Sequence, residues 1–185
     1  MTLVDLDLIN PYFRSSEYGE LLKSHGVDLI APLYANTTLD LPTLSPRIAS
    51  VFDSAEGVVL FDVGGDDAGA AALGGFSTKF QNAGYEMLYV VNQYRVLSTK
   101  AAEAESLLYE IEATSRLRAT GLVNNSHLKG ETTAKTILDS DAYAHETAKR
   151  LGLPLKFTTA PRDLASQIDL EHLYPIDIYV KSPWE

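Results

Sequence analysis

The sequence predicts an α/β protein of three layers, with a mostly parallel sheet that has helices on both faces. Short apolar segments alternate with helical patterns along nearly the whole chain, which is typical of βα units. The run 57–62 is apolar up to its closing acid, as in strands that are buried on both faces. The chain has 185 residues, of which 45% are hydrophobic, so we expect a single domain over 1–185.

The first half of the chain contains three predicted strands, at 3–8, 27–31 and 57–62. Ser15 or Ser16 is the predicted cap of a helix that runs to about His25, where Gly26 ends it. Ser45 and Pro46 supply a capping hydroxyl and a first-turn proline for a second helix, which ends at Gly57. A weak helix rich in glycine and alanine is predicted from about Ala68.

The second half contains predicted strands at 87–92, 119–124 and 155–158, and a final strand in which Ile176, Ile178 and Val180 alternate. The clearest helix spans 97–117, because Ala104, Leu107, Leu108 and Ile111 follow helical spacing. Another helix is predicted from Thr132 or Thr133 to Leu151, where Gly152 and Pro154 are stop signals. A short helix is predicted over 161–168.

Composition and charge exclude several classes of function. The formal net charge is -10, so neither nucleic acid nor an anionic membrane is an expected partner. The chain has no cysteine, which excludes disulfides and thiolate metal sites. Residues 1–7 lack a basic signal-peptide region, and no segment approaches the roughly 20 apolar residues of a membrane span. We therefore predict a cytoplasmic location.

Polar residues and glycines follow the predicted strands, at the edge where parallel sheets bind their ligands. They are Asp5, Asp7, Asn10, Asp62, Gly64, Gly65, Asp66, Asp67, Asn92, Arg95, Asn124, Asn125, Thr158, Thr159 and Arg162. Two of the strands bring four or five carboxylates to one edge. The glycines after Asp62 allow the backbone to approach a ligand closely.

This arrangement suits phosphate chemistry. Asp62 at the end of a buried strand can hold Mg²⁺, directly or through water, and the ion bridges phosphate oxygens. Gly65 can donate its backbone N–H to a terminal phosphate or move when that phosphate leaves. Asp7 can position an attacking water. The alternative is that these aspartates only form turns and caps at strand ends.

Other motifs for phosphate binding or hydrolysis are absent from the sequence. The phosphate-binding loop G-x-x-x-x-G-K-[ST] has its nearest counterpart at 69–75, where Gly75 replaces the lysine. Neither G-x-G-x-x-G nor the nucleophile motif G-x-S-x-G occurs. The four histidines (His25, His127, His145 and His172) show no metal-ligand spacing.

Several segments together resemble one family. Residues 3–15, which read L-V-D-L-D-L-I-N-P-Y-F-R-S, are similar to the strand and switch segment of MinD/ParA-type P-loop ATPases of the SIMIBI class. They are closest to a bacterial ATP-binding branch with the pattern D-x-D-x-x-N-P-Y-F-R-S. Residues 59–67 resemble that branch's Walker B and switch II segment. Similar matches fall in order at 90–95, 120–125 and 181–185.

The resemblance implies roles for individual residues. Asp62 would be the Mg²⁺-associated acid and Gly65 the sensor of the γ-phosphate. Asp7 would lie near the attacking water, with Asp5 beside it. Nucleotide-binding positions would be Asn124, where family members contact the base, and Asn92. The implied ligands are Mg²⁺ with ATP or ADP, and the implied assembly is a nucleotide-dependent homodimer.

The sequence departs from the family at its start. Family members begin with a unit of roughly 30 residues that consists of a strand, a P-loop and a helix. Residue 1 of this chain already corresponds to the strand that follows that unit. ATP binding by these residues is therefore expected to be weak or absent. In the family the missing strand is central and neighbours the Walker B strand, so two strands would need other partners. Either they close up, another chain fills the gap, or the natural protein starts upstream.

Three functions remain open at this point. The first is an ATPase-type protein without its P-loop, and the second is a non-catalytic regulatory or interaction module derived from that fold. The third is a Mg²⁺-dependent phosphohydrolase that uses the aspartate cluster, for which the candidate cations are Arg14, Arg95 and Arg162.

Overall fold

The computed structural model describes residues 1–7, 15–31, 47–53, 57–65 and 67–179. The chain divides into two compact units: Met1–Tyr85 with Thr114–Arg116, and Glu86–Ala113 with Leu117–Glu185. Every strand pair in the described residues is parallel, which confirms the α/β class and the parallel arrangement. The described strands form two sheets, one in each unit, where the sequence predicts a single sheet.

The first unit contains a three-stranded sheet of order β2-β1-β3. Its strands are β1 (Thr2–Asp5), β2 (Asp28–Ile30) and β3 (Val59–Asp62). Its helices are α1 (Gly19–Ser24), α2 (Arg47–Ser50), α3 (Asp67–Gly75) and α4 (Ser77–Ala83), and a 3₁₀ turn (Ser15–Tyr18) precedes α1. Strand β1 lies between the other two strands, and its residues Val4 and Asp5 are fully buried.

Helix α4 is an element that the sequence patterns do not predict. The ring of Phe80 in α4 packs edge-to-face against the rings of Phe52 and Phe61, with distances between ring centroids of 4.9 Å and 4.8 Å. Phe80 thereby belongs to an aromatic cluster that includes Phe61 of β3. These contacts stabilise a short helix whose local sequence gives only a weak signal. The predicted helix from Ser45 is shorter in the described residues, which contain only α2, and its predicted cap at 45–46 lies outside them.

The second unit contains a four-stranded sheet of order β4-β5-β6-β7. Its strands are β4 (Leu88–Val91), β5 (Gly121–Asn124), β6 (Leu155–Pro161) and β7 (Leu173–Ile176), and its helices are α5 (Ala101–Ser115), α6 (Ala134–Asp139) and α7 (Asp141–Leu151). The core joins β4 and β5 to α5 and α7 through buried side chains that include Val91, Leu108, Leu122 and Tyr143. Strand β5 lies between β4 and β6, and it is buried along its whole length.

Helix α5 is shorter than the predicted span 97–117. The carboxylate of Glu103 accepts hydrogen bonds from the Thr99 hydroxyl and the Lys100 N–H, which caps the helix start at that point. Arg116 has a φ of 59°, and this left-handed residue ends the helix after Ser115.

The predicted helix from Thr132 or Thr133 to Leu151 is divided into α6 and α7 at Ser140. Thr133 is the N-cap of α6, and it forms a capping box with Thr136. The backbone N–H of Ser140 and its hydroxyl both donate to the Ile137 carbonyl, which closes α6 early.

Two predictions near the C-terminus are wrong. The segment predicted as a helix over 161–168 contains the end of β6, followed by a 3₁₀ turn at Ala165–Gln167. The final described strand is β7, because β6 pairs with Leu173–Ile176 in register, whereas the predicted alternation begins only at Ile176. Val180, the last residue of that alternation, lies outside the described residues. Ile178 lies beyond that pairing and is 61% exposed. Among the described helices, none is both long and apolar enough to cross a bilayer.

Candidate functional site

The carboxyl ends of β1 and β3 bring two predicted site residues together. Asp5 and Asp62 are paired in register across the two parallel strands, and the Leu6 N–H donates to the Asp62 carbonyl over 2.7 Å. Paired residues of neighbouring strands project from the same face of a sheet. Asp5 is nevertheless fully buried, whereas Asp62 is exposed to solvent. Asp62 is therefore the carboxylate of this pair that a ligand can reach.

Asp5 organises the turn that carries Asp7. One Asp5 carboxylate oxygen accepts a hydrogen bond from the Asp7 N–H at 3.0 Å, an arrangement typical of an aspartate that stabilises a turn two residues later. Asp7 is half-buried and is the last residue of this turn. The structure therefore gives Asp5 a positioning contact, and it places Asp7 at the same strand end as the sequence predicts.

Ser15 contacts Asp62, which the sequence patterns do not reveal. The Ser15 hydroxyl donates to the Asp62 carboxylate over 2.5 Å, a short distance for a hydrogen bond to a charged acceptor. The predicted helix cap at Ser15 does not form, because α1 has Tyr18 at its N-cap position and no side-chain capping bond there. No local pattern links two residues that are 47 positions apart.

The loop after β3 lies directly on the first turn of α3. A Cβ added at Gly69 would lie 2.9 Å from the Gly64 carbonyl carbon, so only glycine allows this approach of the two backbones. Gly65 is exposed, and a Cβ added there would meet nothing within 4 Å. The predicted phosphate sensor Gly65 is thus open to a ligand, and Gly69 fixes the backbone next to it.

These oxygen donors fit Mg²⁺. The carboxylate of Asp62 is a hard oxygen ligand, which this cation prefers, and the Ser15 hydroxyl contacts it by a hydrogen bond. Within the described part of the chain, no group of three or more histidines and carboxylates forms a metal cage. Mg²⁺ at phosphate sites is commonly held by one or two carboxylates together with waters and the phosphates themselves. The residues present therefore suit an ion that arrives with a phosphate ligand.

Asn124, a predicted nucleotide-binding residue, lies in the second unit and is fully buried. Its Nδ2 donates to the Ser140 hydroxyl at 2.9 Å. Its Oδ1 accepts from the Ser126 N–H at 3.2 Å and from the Ser126 hydroxyl at 2.7 Å. Both ends of the amide are used inside the protein, where they join β5 to the start of α7.

Asn92, the other predicted nucleotide-binding residue, holds together the loops that follow β4 and β5. Its Oδ1 accepts from the Tyr94 N–H at 3.0 Å and from the His127 N–H at 3.2 Å, and its Nδ2 donates to the His127 carbonyl at 3.3 Å. Nearby, the Gln93 Oε1 is buried and has no hydrogen-bond partner among the described residues. The contact of either asparagine with a nucleotide stays a prediction.

Arg162, a candidate cation for phosphate binding, forms an ion pair with a carboxylate of the protein. It forms two hydrogen bonds of 2.8 Å with the carboxylate of Asp177. The hydrogen bond to Asp177 raises the pKa of Arg162, and the same bond lowers the pKa of Asp177. Of the other candidate cations, Arg95 is exposed and Arg14 lies outside the described residues.

We expect His127 to make the second unit sensitive to acid. Its Nδ1 accepts a hydrogen bond from the Lys129 N–H at 3.1 Å, so the ring is neutral with its proton on Nε2. Burial lowers the pKa of His127 below its ordinary value of 6.5, and the charge of Lys129 lowers it further. The unfolded chain therefore binds a proton more readily than the folded one.

We expect the free energy of unfolding to decrease as the pH falls below about 6.5, and to be unaffected by this group above that value. Urea unfolding between pH 5 and pH 8 measures the slope. His127→Asn keeps a hydrogen-bond acceptor and should flatten the slope, whereas the control His145→Asn, at an exposed position, should keep it. Equal slopes in the wild type and His127→Asn would contradict this assignment.

Comparison of the chain with protein-family models, with curated proteins and with solved structures finds no match.

Proposed function

We propose that this chain is an ATP-binding domain of the MinD/ParA type that carries the Mg²⁺-associated side of the nucleotide site. The observation that carries the proposal is the in-register pair of Asp5 and Asp62, with the exposed Gly65 three residues after Asp62. The ordered similarity of the segments around these residues to that ATPase class supports it. The natural setting that we propose is a nucleotide-dependent homodimer in the cytoplasm.

Each residue at the first unit's strand ends has a distinct role in this proposal. Asp62 is the exposed carboxylate that accepts the magnesium ion of Mg-ATP, directly or through water. Gly65 offers an unobstructed backbone position next to the terminal phosphate, and Gly69 holds this loop against α3. Asp7 orients a water for attack, and Asp5 holds the turn on which Asp7 lies. When bound, Mg²⁺ would neutralise charge that develops on the phosphate oxygens.

The affinity for nucleotide is expected to be low. Most phosphate affinity in P-loop proteins comes from loop amides and a lysine, and the motif that supplies them does not occur in these 185 residues. Binding through Mg²⁺ and a few backbone groups is therefore expected to be weaker than binding by a protein that has the complete P-loop.

A non-catalytic regulatory module built on the same fold is the second candidate. The internal hydrogen bonds of Asn124 and Asn92 favour it, because both amides have structural partners without any nucleotide. The two candidates differ in turnover: release of phosphate from Mg-ATP supports the ATPase, and nucleotide binding without turnover supports the module.

Asp62→Asn tests the proposed site. We expect it to weaken Mg-dependent binding of ATP and ADP at least tenfold, because the neutral amide is a poor ligand for Mg²⁺. Isothermal titration calorimetry with Mg-ATP and Mg-ADP, repeated in excess EDTA, measures this loss. Asp53→Asn is a matched control, since Asp53 is another exposed carboxylate of the same unit. Equal affinities with and without Mg²⁺ in the wild type would overturn the proposal.

A further inference from the structure

The hydrogen bond from Ser15 to Asp62 is the only described contact by which a side chain fixes the exposed carboxylate of the proposed site. It joins the 3₁₀ turn before α1 to the last residue of β3, across 47 positions of sequence. Its length of 2.5 Å lies at the short end of the range for hydroxyl donors to oxygen. Ser15 itself is half-buried, so the contact lies at the surface of the first unit.

One hydrogen bond is enough to orient this carboxylate. An aspartate at a strand end rotates about the bond to its carboxyl group with little preference, because that torsion is broad. The hydrogen bond from the Ser15 hydroxyl to Oδ2 restricts this rotation. A carboxylate that is already oriented loses less conformational freedom when it binds a cation.

We infer that Ser15 is a positioning residue for Asp62, and that it sets the affinity of the proposed site for the cation of a Mg-nucleotide. The inference rests on the proposed function, since it assigns Ser15 a role at that same site. Hydrogen-bond partners of metal-binding carboxylates typically change metal affinity by a factor of 10 to 100 when they are removed. Because Ser15 is partly accessible to water, the effect expected here is at the lower end, about tenfold.

Three variants of the full chain, compared with Asp62→Asn, test this role, with Mn²⁺ and ADP as the probe for Mg-nucleotide. Enhancement of the water proton relaxation rate by bound Mn·ADP measures the affinity without relying on turnover. Ser15→Ala should weaken Mn·ADP binding about tenfold, whereas Ser15→Thr keeps the hydroxyl and should remain within about threefold of the wild type. Ser106→Ala is the control, because the Ser106 hydroxyl bonds only within α5.

The outcomes separate the inference from the proposed function. A loss in Ser15→Ala that Ser15→Thr restores, with the thermal unfolding midpoint unchanged in both, supports the positioning role. Equal Mn·ADP affinity in the wild type and Ser15→Ala, together with a loss in Asp62→Asn, overturns the inference and leaves the proposed function intact. Equal affinity in the wild type and Asp62→Asn, or no binding by the wild type, overturns both.

Discussion

Gly69→Ala is expected to lower the free energy of unfolding by about 3 kcal/mol. The added methyl group would lie 2.9 Å from the carbonyl carbon of Gly64 and closer still to its oxygen. Both atoms belong to the backbone, so the clash is relieved only by moving the loop after β3 away from α3. Urea denaturation of the two proteins measures the difference, and weaker binding of Mg-ADP should accompany it because Gly65 lies in the displaced loop.

Gly75→Ala provides a matched control for this substitution. Gly75 belongs to the same helix, and a Cβ added there would meet nothing within 4 Å. Alanine has the higher helix propensity, so Gly75→Ala should leave the stability unchanged or increase it by a few tenths of a kcal/mol. If Gly69→Ala and Gly75→Ala had the same stability, the close approach of Gly64 and Gly69 would not hold in solution.

Asn124→Ala is expected to cost about 2–4 kcal/mol of folding stability. The substitution removes a fully buried amide and leaves the Ser126 N–H without its acceptor. It also removes the amide donor to the Ser140 hydroxyl, which is the side-chain hydrogen bond from Asn124 to the start of α7. A buried polar group that loses its partner costs roughly 1–3 kcal/mol, and more than one group is affected here.

Asn125→Ala is the comparison for Asn124→Ala. Asn125 is half-buried and accepts one hydrogen bond, from the Thr159 hydroxyl at 2.6 Å. We expect its substitution to cost about 1 kcal/mol. Both are measured by equilibrium unfolding in urea. If Asn124→Ala were as stable as the wild type but bound Mg-ADP less tightly, Asn124 would be a nucleotide contact rather than a structural residue of the second unit.

The acids at the ends of β1 and β3 show which features of the fold can be predicted from local sequence patterns. The run before Asp62 predicts a strand that ends at the acid, and β3 does end there. That end is predicted correctly because an apolar run and its closing polar residue act within a few neighbouring positions. The first strand is predicted too long, at 3–8, whereas β1 ends at Asp5, and β3 is not buried on both faces, since Leu60 is 50% exposed. Asp5 and Asp62 share a register because β1 and β3 pair in parallel. The alternation of strands and helices predicts parallel pairing in general, but it does not predict which residues are paired.

The errors come from contacts between distant parts of the chain. The sequence predicts β7 too late, because pairing with β6 selects Leu173–Ile176 over the alternating residues that follow. Helix α4 has no clear local signal, and its Phe80 is held by Phe52 and Phe61 from elsewhere in the first unit. In both cases a tertiary contact outweighs a propensity that is small for each residue.

By itself, the sequence determined the α/β class, the alternation of strands with helices, and the position of Asp62 at the end of a strand with glycines after it. Only the tertiary structure decided that the described strands form two sheets, that Asn124 is enclosed by Ser126 and Ser140, and that Ser15 bonds to Asp62. The reason is physical. Periodicity reflects which faces of an element are apolar, whereas hydrogen-bond partners depend on which elements meet and in what register.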